Sequence, residues 1–354
     1  MIPIVKQLLK YQNRHDLLNS TILEKFSLQQ RITPICAFTD IDDTFIRRSQ
    51  NPNNHARYQK ATKNIISLLK RNAIPVIAVT ARDLSGVVEG QSPATDNLPA
   101  FDVIASSVGT EIWIHTKENN YVKDSIYESK IAKKSNFSRN DIYHILQQAI
   151  GELQEKIPGI YLEFQPRDKE YNTLAYKYNV NPKLSSLTTE DAPQDLKISL
   201  EFHGTYLQVC YIKRYLKERL TGSNFEKVKI VISSGLTFSP KKTQFSIDIL
   251  AASKGNAVSY LKKLLQCKAI AAGDSGNDID MLLNASDASI IVGGCKIELV
   301  EEMEKYSLKK IDNNFSLLED SNSITNRIIY QENDVHKGPE SFLKGFLPLL
   351  HYFN

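Results

Sequence analysis

Short, continuous runs of apolar residues recur in the first third of the chain. Three of them, "ITPICAFT", "IPVIAVT" and "FDVIASSVG", are too short and too rich in β-formers for helices. Between the first two lies "HARYQKATKNIISLLKRN", where Ala61, Ile65, Leu68 and Leu69 recur at helical spacing. Apolar runs that do not alternate with polar residues, joined by a helix, predict a parallel sheet covered on both faces.

The same pattern returns near the end of the chain. "CKAIAAGD" and "DASIIVGG" predict strands, and "KGNAVSYLKKLLQ", "DIDMLLNAS", "KIELVEEMEKY" and "PESFLKGFLPLLHYF" predict helices. Residues 33–114 and 246–354 together therefore predict one α/β domain with a Rossmann-like parallel sheet and helices on both faces.

Residues 115–245 have a different pattern. "YLEFQP" and "KISLEFHG" alternate as half-exposed antiparallel strands do. "NDIYHILQQAIGELQEKI" predicts a helix capped near Asn140, and "YIKRYLKERLTG" predicts one that ends near Gly222. We expect this segment to be an α+β domain inserted into the α/β domain. Residues 1–32 predict an amphipathic helical extension.

Composition narrows the class of protein. The chain has 354 residues, of which 42% are hydrophobic, so it can bury a large core, and its net charge of +4 does not suggest nucleic acid. No segment approaches the roughly 20 apolar residues of a membrane span. The four scattered cysteines form no CxxC pair, which argues against a disulfide framework and a zinc ribbon. We expect a soluble, cytoplasmic protein without nucleic-acid or membrane partners; the sequence leaves its oligomeric state open.

Carboxylates follow the first predicted strand directly. In a strand, residues two apart point to the same side, so Asp40 and Asp42 are expected to emerge together at the carboxyl end of the sheet, where ligands bind. An EF-hand loop also begins D-x-D. That motif next needs an oxygen ligand and a glycine, where this chain has Thr44 and Phe45.

Three further motifs place polar residues at strand ends or helix starts. Thr80 ends the second strand, Lys254 enters a helix, Asp274 ends a late strand, and Asn277 and Asp278 begin the next helix. Each has a structural alternative, such as a helix cap, a solvated lysine or an acid at a helix start. Their joint occurrence in this order favours a functional site.

These residue types suit phosphoryl transfer. A phosphate dianion repels an attacking carboxylate, and a hard divalent cation held by oxygens relieves that repulsion. We expect Asp40 to be the nucleophile that forms an aspartyl-phosphate, and Asp42 to be the general acid and base. The candidate Mg²⁺ ligands are Asp40, Asp42, Asp274 and Asp278, and the candidate phosphate ligands are Thr80, Lys254 and Asn277. No nucleotide P-loop or hydrolase elbow is present.

The sequence resembles the haloacid dehalogenase superfamily of phosphatases. The likeness rests on "DIDDT", the threonine of "VTAR", the lysine of "SKGN", and "GDSGND", with an insertion that looks like a type IIB cap. Within that superfamily it is similar to sucrose-phosphate phosphatases through "SVGTEIW", "LEFQP", "SIDILAASKGNAVSYLKKLL" and "KGPESFLKGFLPLLHYF". The resemblance implies Mg²⁺-dependent hydrolysis of a phosphorylated sugar.

Departures from the family pattern concern the sugar more than the chemistry. Ala81 replaces the usual glycine, and Cys295 stands where the family has an Asn-Ala pair. The resemblance implies that the sugar is bound in the cap near "LEFQP", which makes Gln165 and Glu170 candidate substrate ligands, but Glu170 and Thr173 differ from the family residues. The alternatives are a sugar phosphomutase or phosphotransferase, and a catalytically silent binding protein of the same fold.

Overall fold

The computed structural model describes residues 21–29, 31, 33–92, 96–118, 120–166, 168, 196–239, 242–304, 309–311, 317–318, 328–331 and 337–353. The chain forms two compact units. One combines Met1–Ser125 with Lys254–Asn354, and the other is Ile126–Ser253.

The secondary structure follows the predicted alternation of strands and helices. In chain order the strands are β1 (Ile35–Thr39), β2 (Val76–Val79), β3 (Val103–Ser106), β4 (Glu111–His115), β5 (Tyr121–Lys123), β6 (Tyr161–Phe164), β7 (Lys197–Gly204), β8 (Lys229–Ser239), β9 (Lys242–Leu250), β10 (Lys268–Gly273), β11 (Ala288–Ile291), β12 (Lys309–Ile311), β13 (Leu317–Leu318) and β14 (Ile328–Gln331). The helices are α1 (Ile22–Gln29), α2 (Pro52–Arg71), α3 (Leu84–Glu89), α4 (Ser125–Ser135), α5 (Arg139–Lys156), α6 (Tyr206–Gly222), α7 (Lys254–Leu265), α8 (Ile297–Glu304) and α9 (Pro339–Tyr352). Ser107–Gly109 and Gly276–Asp278 are short 3-10 turns, and Met281–Ala285 is a π turn.

The first unit is built on one large sheet. Its strand order is β13-β12-β14-β11-β10-β1-β2-β3-β4-β5. Neighbouring strands from β12 to β3 run parallel, with antiparallel strands at both edges. Every residue of β1, β2 and β3 is buried, which explains why their sequences show no alternation. The predicted α/β fold class is confirmed.

Aromatic side chains fill the core on the side of the sheet that carries α2 and α9. The ring of Phe45 lies 5.7 Å from that of Phe101 and 6.0 Å from that of Phe342. Helix α2 begins sharply because Asn51 accepts hydrogen bonds from two backbone N–H groups and Pro52 occupies the first turn. These contacts fix the segment between β1 and α2, which carries the predicted site residues Asp40 and Asp42.

The second unit contains a four-stranded antiparallel sheet of order β6-β7-β9-β8, whose core includes residues of α5 and α6. It differs from the predicted 115–245 segment at both ends. Strand β5 pairs with β4 of the large sheet instead, and β9 extends to Leu250 beside β7. The cap of α5 is Ser138 rather than Asn140, because the backbone is already helical from Arg139.

Strand β7 is also more buried than its alternating sequence predicts. Lys197 and Ser199 are buried because both interact with Asp248. The Nζ atom of Lys197 lies 3.4 Å from Asp248 Oδ1, and the Ser199 hydroxyl donates to the same oxygen at 2.6 Å. Polar partners therefore cover the face that was expected to meet water.

Of the predicted N-terminal extension, the structure describes 21–29 and 31, including α1. Lys25 donates to both oxygens of the buried Asp102 at 2.8 Å, and Thr21 donates to one of them. These bonds attach α1 to the large sheet. The other residues of the extension lie outside the described part.

In the described part of the chain, every helix is too short or too polar to cross a lipid bilayer.

Candidate active site

Three polar residues directly follow strands that end at the same edge of the large sheet. Strand β1 lies between β10 and β2, with Thr39 opposite Ala272 on one side and Ala78 on the other. The backbone N–H of Asp40 donates to the carbonyl of Ala272 at 3.0 Å. Asp40, Asp274 and Thr80, which follow these paired residues, are therefore held at neighbouring positions.

A lysine links two carboxylates inside this edge. The Nζ atom of Lys254 lies 2.6 Å from Asp40 Oδ1 and 2.7 Å from Asp278 Oδ1, and its side chain is fully buried. Burial opposes the charge on Lys254, but Asp278 and Asp40 outweigh that effect and raise the pKa of its ammonium. The lysine therefore stays charged.

The second carboxylate oxygen of Asp278 holds the loop after β10. It accepts hydrogen bonds from the backbone N–H groups of Asp274 and Ser275, both at 3.1 Å. Gly273 is required beside it, because a Cβ atom there would lie 2.5 Å from Asp278 Cγ. Asp278 thus positions the loop while also pairing with Lys254.

The buried carboxylates at this edge of the sheet outnumber the positive charges beside them. Asp40, Asp274 and Asp278 face one ammonium in this buried group, that of Lys254, so the group carries a net charge of −2 when all are ionised. Burial raises the pKa of Asp40 to about 7, although Lys254 acts in the opposite direction. Burial and then the charge of Asp40 raise the pKa of Asp274 well above its ordinary value.

This group suits a divalent cation. One ligand atom from each of the three aspartates lies within 4.8 Å of the others. Asp40 Oδ1 accepts a hydrogen bond from Lys254, and Asp274 Oδ1 accepts one from the hydroxyl of Thr44. No described residue donates a hydrogen bond to the second oxygen of either carboxylate. Carboxylate oxygens are the ligands that Mg²⁺ prefers, and a charge of +2 would neutralise the group. The residues present therefore fit a Mg²⁺ ion.

The structure does not bring Asp42 into this group, contrary to its prediction as a metal ligand. Its side chain is 59% exposed and forms a two-point ion pair with Arg82, with Nε–Oδ2 at 2.9 Å and Nη2–Oδ1 at 2.6 Å. The prediction assumed strand alternation, but β1 ends at Thr39, and the turn that follows includes Asp43 at a φ of 57°. The side chain of Asp42 therefore points away from the group formed by Asp40, Asp274 and Asp278.

The ion pair of Asp42 continues into a longer ion-pair chain, Arg48–Asp96–Arg82–Asp42. Arg82 Nη1 lies 2.9 Å from Asp96 Oδ2, and Arg48 Nε and Nη2 both donate to Asp96 Oδ1. Burial acts to raise the pKa of Asp96, but the hydrogen bonds from Arg48 and Arg82 prevail and lower it. The sequence analysis did not single out Arg82, although it lies two residues after Thr80 in "VTAR". Asp96 lies in an irregular segment that has no periodic pattern of apolar residues.

Comparison with known proteins places the chain in a family. The family model of haloacid dehalogenase-like hydrolases matches residues 37–314. The protein belongs to this family. No curated protein matches the sequence.

Three solved structures are similar to this haloacid dehalogenase-like hydrolase in fold. Sucrose-phosphatase from Synechocystis sp. PCC6803, solved with sucrose and phosphate, has 17% identity and a TM-score of 0.56, over 91% of this chain and 98% of that chain. A haloacid dehalogenase-like hydrolase from B. subtilis has 15% identity and a TM-score of 0.46, over 89% and 99%. The C-terminal domain of trehalose-6-phosphate phosphatase from C. albicans has 11% identity and a TM-score of 0.43, over 93% and 97%.

In this hydrolase, a strained turn braces the loop that carries Thr80. Ser107 and Val108 have φ values of 54° and 60°, which residues with side chains rarely adopt. The N–H of Val108 donates to the carbonyl of Thr80 and that of Ser107 to the carbonyl of Arg82, both at 2.8 Å. The hydroxyl of Thr80 accepts from the N–H of Arg82 at 3.2 Å, which leaves its own proton to donate.

The other predicted ligands of the hydrolase lie in different settings. Asn277 is buried in the 3-10 turn Gly276–Asp278, where its Oδ1 accepts from the Ser275 hydroxyl at 3.2 Å. In the second unit, Gln165 follows β6, and its N–H donates to the carbonyl of Ser199 at 2.9 Å. Glu170 lies outside the described residues.

Proposed function

We propose that this protein is a Mg²⁺-dependent phosphatase that hydrolyses a phosphorylated sugar through an aspartyl-phosphate intermediate, as a sucrose-phosphate phosphatase-like enzyme. The observation that carries the proposal is the buried contact of Lys254 with Asp40 and Asp278, with Asp274 in the same group. The sugar is supported by the "LEFQP" and "SVGTEIW" motifs and by the likeness in fold to a sucrose-phosphatase.

Asp40 is the proposed nucleophile. One of its oxygens attacks phosphorus, the bond from phosphorus to the sugar oxygen breaks, and the phosphoryl group becomes attached to Asp40. Lys254 limits the repulsion between the carboxylate and the phosphate, and the hydroxyl of Thr80 donates to a phosphate oxygen. Mg²⁺ held by Asp40, Asp274 and the nearby Asp278 would supply the remaining positive charge.

Asp42 is the proposed general acid and base. It would give a proton to the departing sugar oxygen and later take one from the water that attacks the phosphorus of the intermediate. Both steps need Asp42 at the reacting group, whereas here it is paired with Arg82. The proposal therefore requires Asp42 to exchange Arg82 for the substrate during each cycle.

The test of the nucleophile compares two neighbouring aspartates. Asp40→Asn should lower the rate by about 10³ or more, which corresponds to roughly 4 kcal/mol of barrier, because an amide is a poor nucleophile. The control is Asp43→Asn, whose side chain is 37% exposed and lies outside the buried group, and it should keep most of the activity. Activity is measured as phosphate release, with circular dichroism to verify folding. Near-normal turnover by Asp40→Asn would refute the covalent mechanism.

The substrate class is tested with a panel. We expect release of inorganic phosphate from phosphorylated mono- or disaccharides, sucrose 6-phosphate among them, in preference to nucleotides and phosphoproteins. Transfer of the phosphoryl group to a second sugar, without release to water, would instead identify a mutase or phosphotransferase. A folded protein that binds sugar phosphates but turns over none of them would be a silent binding protein.

A further inference from the structure

The first unit contains a cavity away from the buried carboxylates. Its volume is about 310 Å³, and its lining includes Arg47 and Arg48 from the segment after β1, His55, Gln59 and Lys63 from α2, and Asp96. None of the residues proposed to bind phosphate, Mg²⁺ or the sugar lines it. The ion-pair chain connects Asp96, in the lining of the cavity, to Asp42.

The lining of this cavity is positively charged. Arg47, Arg48 and Lys63 each carry a positive formal charge, and Asp96 is the one carboxylate among the lining residues, which gives a formal net charge of +2. Asp96 already shares its charge with Arg82, so it does not neutralise the cavity fully. Such a lining favours an anion.

One cation of the lining has no counter-charge among the described residues. Arg47 lies 3.7 Å from Asp43 and Arg48 lies 2.5 Å from Asp96, whereas Lys63 is exposed and forms no ion pair with a described residue. The anionic group of a ligand in the cavity would pair with this ammonium. His55 also lines the cavity, with its Nε2 atom 3.0 Å from Gln59 Nε2, so its ring signals can report on binding there.

We propose that this cavity is a second binding site, for a small phosphorylated hydroxy compound. A phosphate monoester is a dianion at neutral pH and matches the net charge of the lining. Its oxygens are acceptors suited to the ammonium of Lys63 and to the guanidinium of Arg48. The amides of Gln59 and Asn97 suit the hydroxyl groups of the rest of the ligand. The volume is at the lower end for ligand sites, which limits the ligand to a small metabolite.

The test follows the ring signals of His55 by NMR in the full-length protein, without divalent metal and at constant pH and ionic strength. The signals are assigned by their loss in His55→Gln. Inorganic phosphate and glucose 6-phosphate should shift them saturably, citrate should bind more weakly than glucose 6-phosphate, and glucose should have no effect. Lys63→Met should weaken binding by about fivefold, the loss expected for one charged contact.

Lys60→Met is the matched control, because Lys60 is an exposed lysine of the same helix that does not line the cavity. It should leave the binding unchanged. The proposal is overturned if about 20 mM phosphate gives no saturable shift of His55, which would put the affinity far below that of ordinary sites. It is also overturned if Lys60→Met weakens binding as much as Lys63→Met does, or if citrate binds more tightly than glucose 6-phosphate.

Discussion

Replacing Lys254 by methionine isolates the role of the buried ammonium. Methionine is unbranched and of similar length, so it can occupy the space of the lysine stem while removing the charge. The variant leaves Asp40 and Asp278 without the partner that lies 2.6 and 2.7 Å away in the native protein. Asp274 remains in the same group, so this buried group then holds three carboxylates and no ammonium.

The expected cost is large because both partners are buried. Removing one member of a buried ion pair typically lowers the free energy of unfolding by about 3–5 kcal/mol. Aspartates can take up protons when they lose their counter-charge, so the cost should be greater at pH 8 than at pH 5.5. We therefore expect a loss of about 3–5 kcal/mol at pH 8 without metal, and a smaller loss at pH 5.5.

Urea unfolding followed by tryptophan fluorescence measures the loss of stability in the first unit, which contains Lys254. Trp113 is the single tryptophan of the chain and lies on β4, within the large sheet. The control is Lys262→Met on the same helix, α7. Lys262 is 29% exposed and lies 3.0 Å from Asp287, so its loss should cost no more than about 1 kcal/mol. If Lys254→Met is no more destabilising than Lys262→Met at pH 8, the buried ion pair does not have the role described.

Three further predictions concern protons, metal and sugar. The pKa of Asp40 is about 7 in the folded protein and about 3.8 in the unfolded chain, so the metal-free native state binds more protons. Asp40 alone should therefore lower the free energy of unfolding by about 4 kcal/mol between pH 4 and 7, and Asp274, whose pKa is also raised, adds a fall of the same sign; urea titrations that show a rise across this range would contradict the assignment. Mg²⁺ should raise the thermal midpoint more at pH 8 than at pH 5.5, because it competes with protons; Asp274→Asn should remove most of this shift, and an unchanged shift would exclude Asp274 as a ligand. Replacing Gln165 and Glu170 together by alanine should lower kcat/KM for the best sugar phosphate by about tenfold or more, with little effect on a small aryl phosphate. Equal losses on both substrates would mean that these residues support the fold.

The sequence was enough to predict that Asp40 and Asp274 lie close together, because that placement depends on strand ends. Asp40 and Asp274 follow neighbouring parallel strands, and a parallel sheet brings the carboxyl ends of its strands to one edge. The contact of Lys254 with Asp40 needed only a helix that begins at this edge. Simple topology is enough to place these groups.

Other features depend on backbone geometry that no periodicity encodes. Asp42 was misplaced because the alternation of β1 stops three residues before it, and Asp96 lies in an irregular segment. The inserted segment was predicted to begin at residue 115, yet β5 pairs with β4, which pairs with β3 in the large sheet. Their partner could not be identified from local sequence.

The placement of β1 beside β10 has a consequence during protein synthesis. Thr44 and Asp274, which meet in the finished site, are 230 residues apart in the chain. At about 5–20 residues per second, a ribosome needs roughly 10 to 50 s to add the residues between them. Throughout that time β1, whose five residues are all buried in the final fold, has one unpaired edge that can associate with other nascent chains. The second unit, as one continuous segment, does not share this delay.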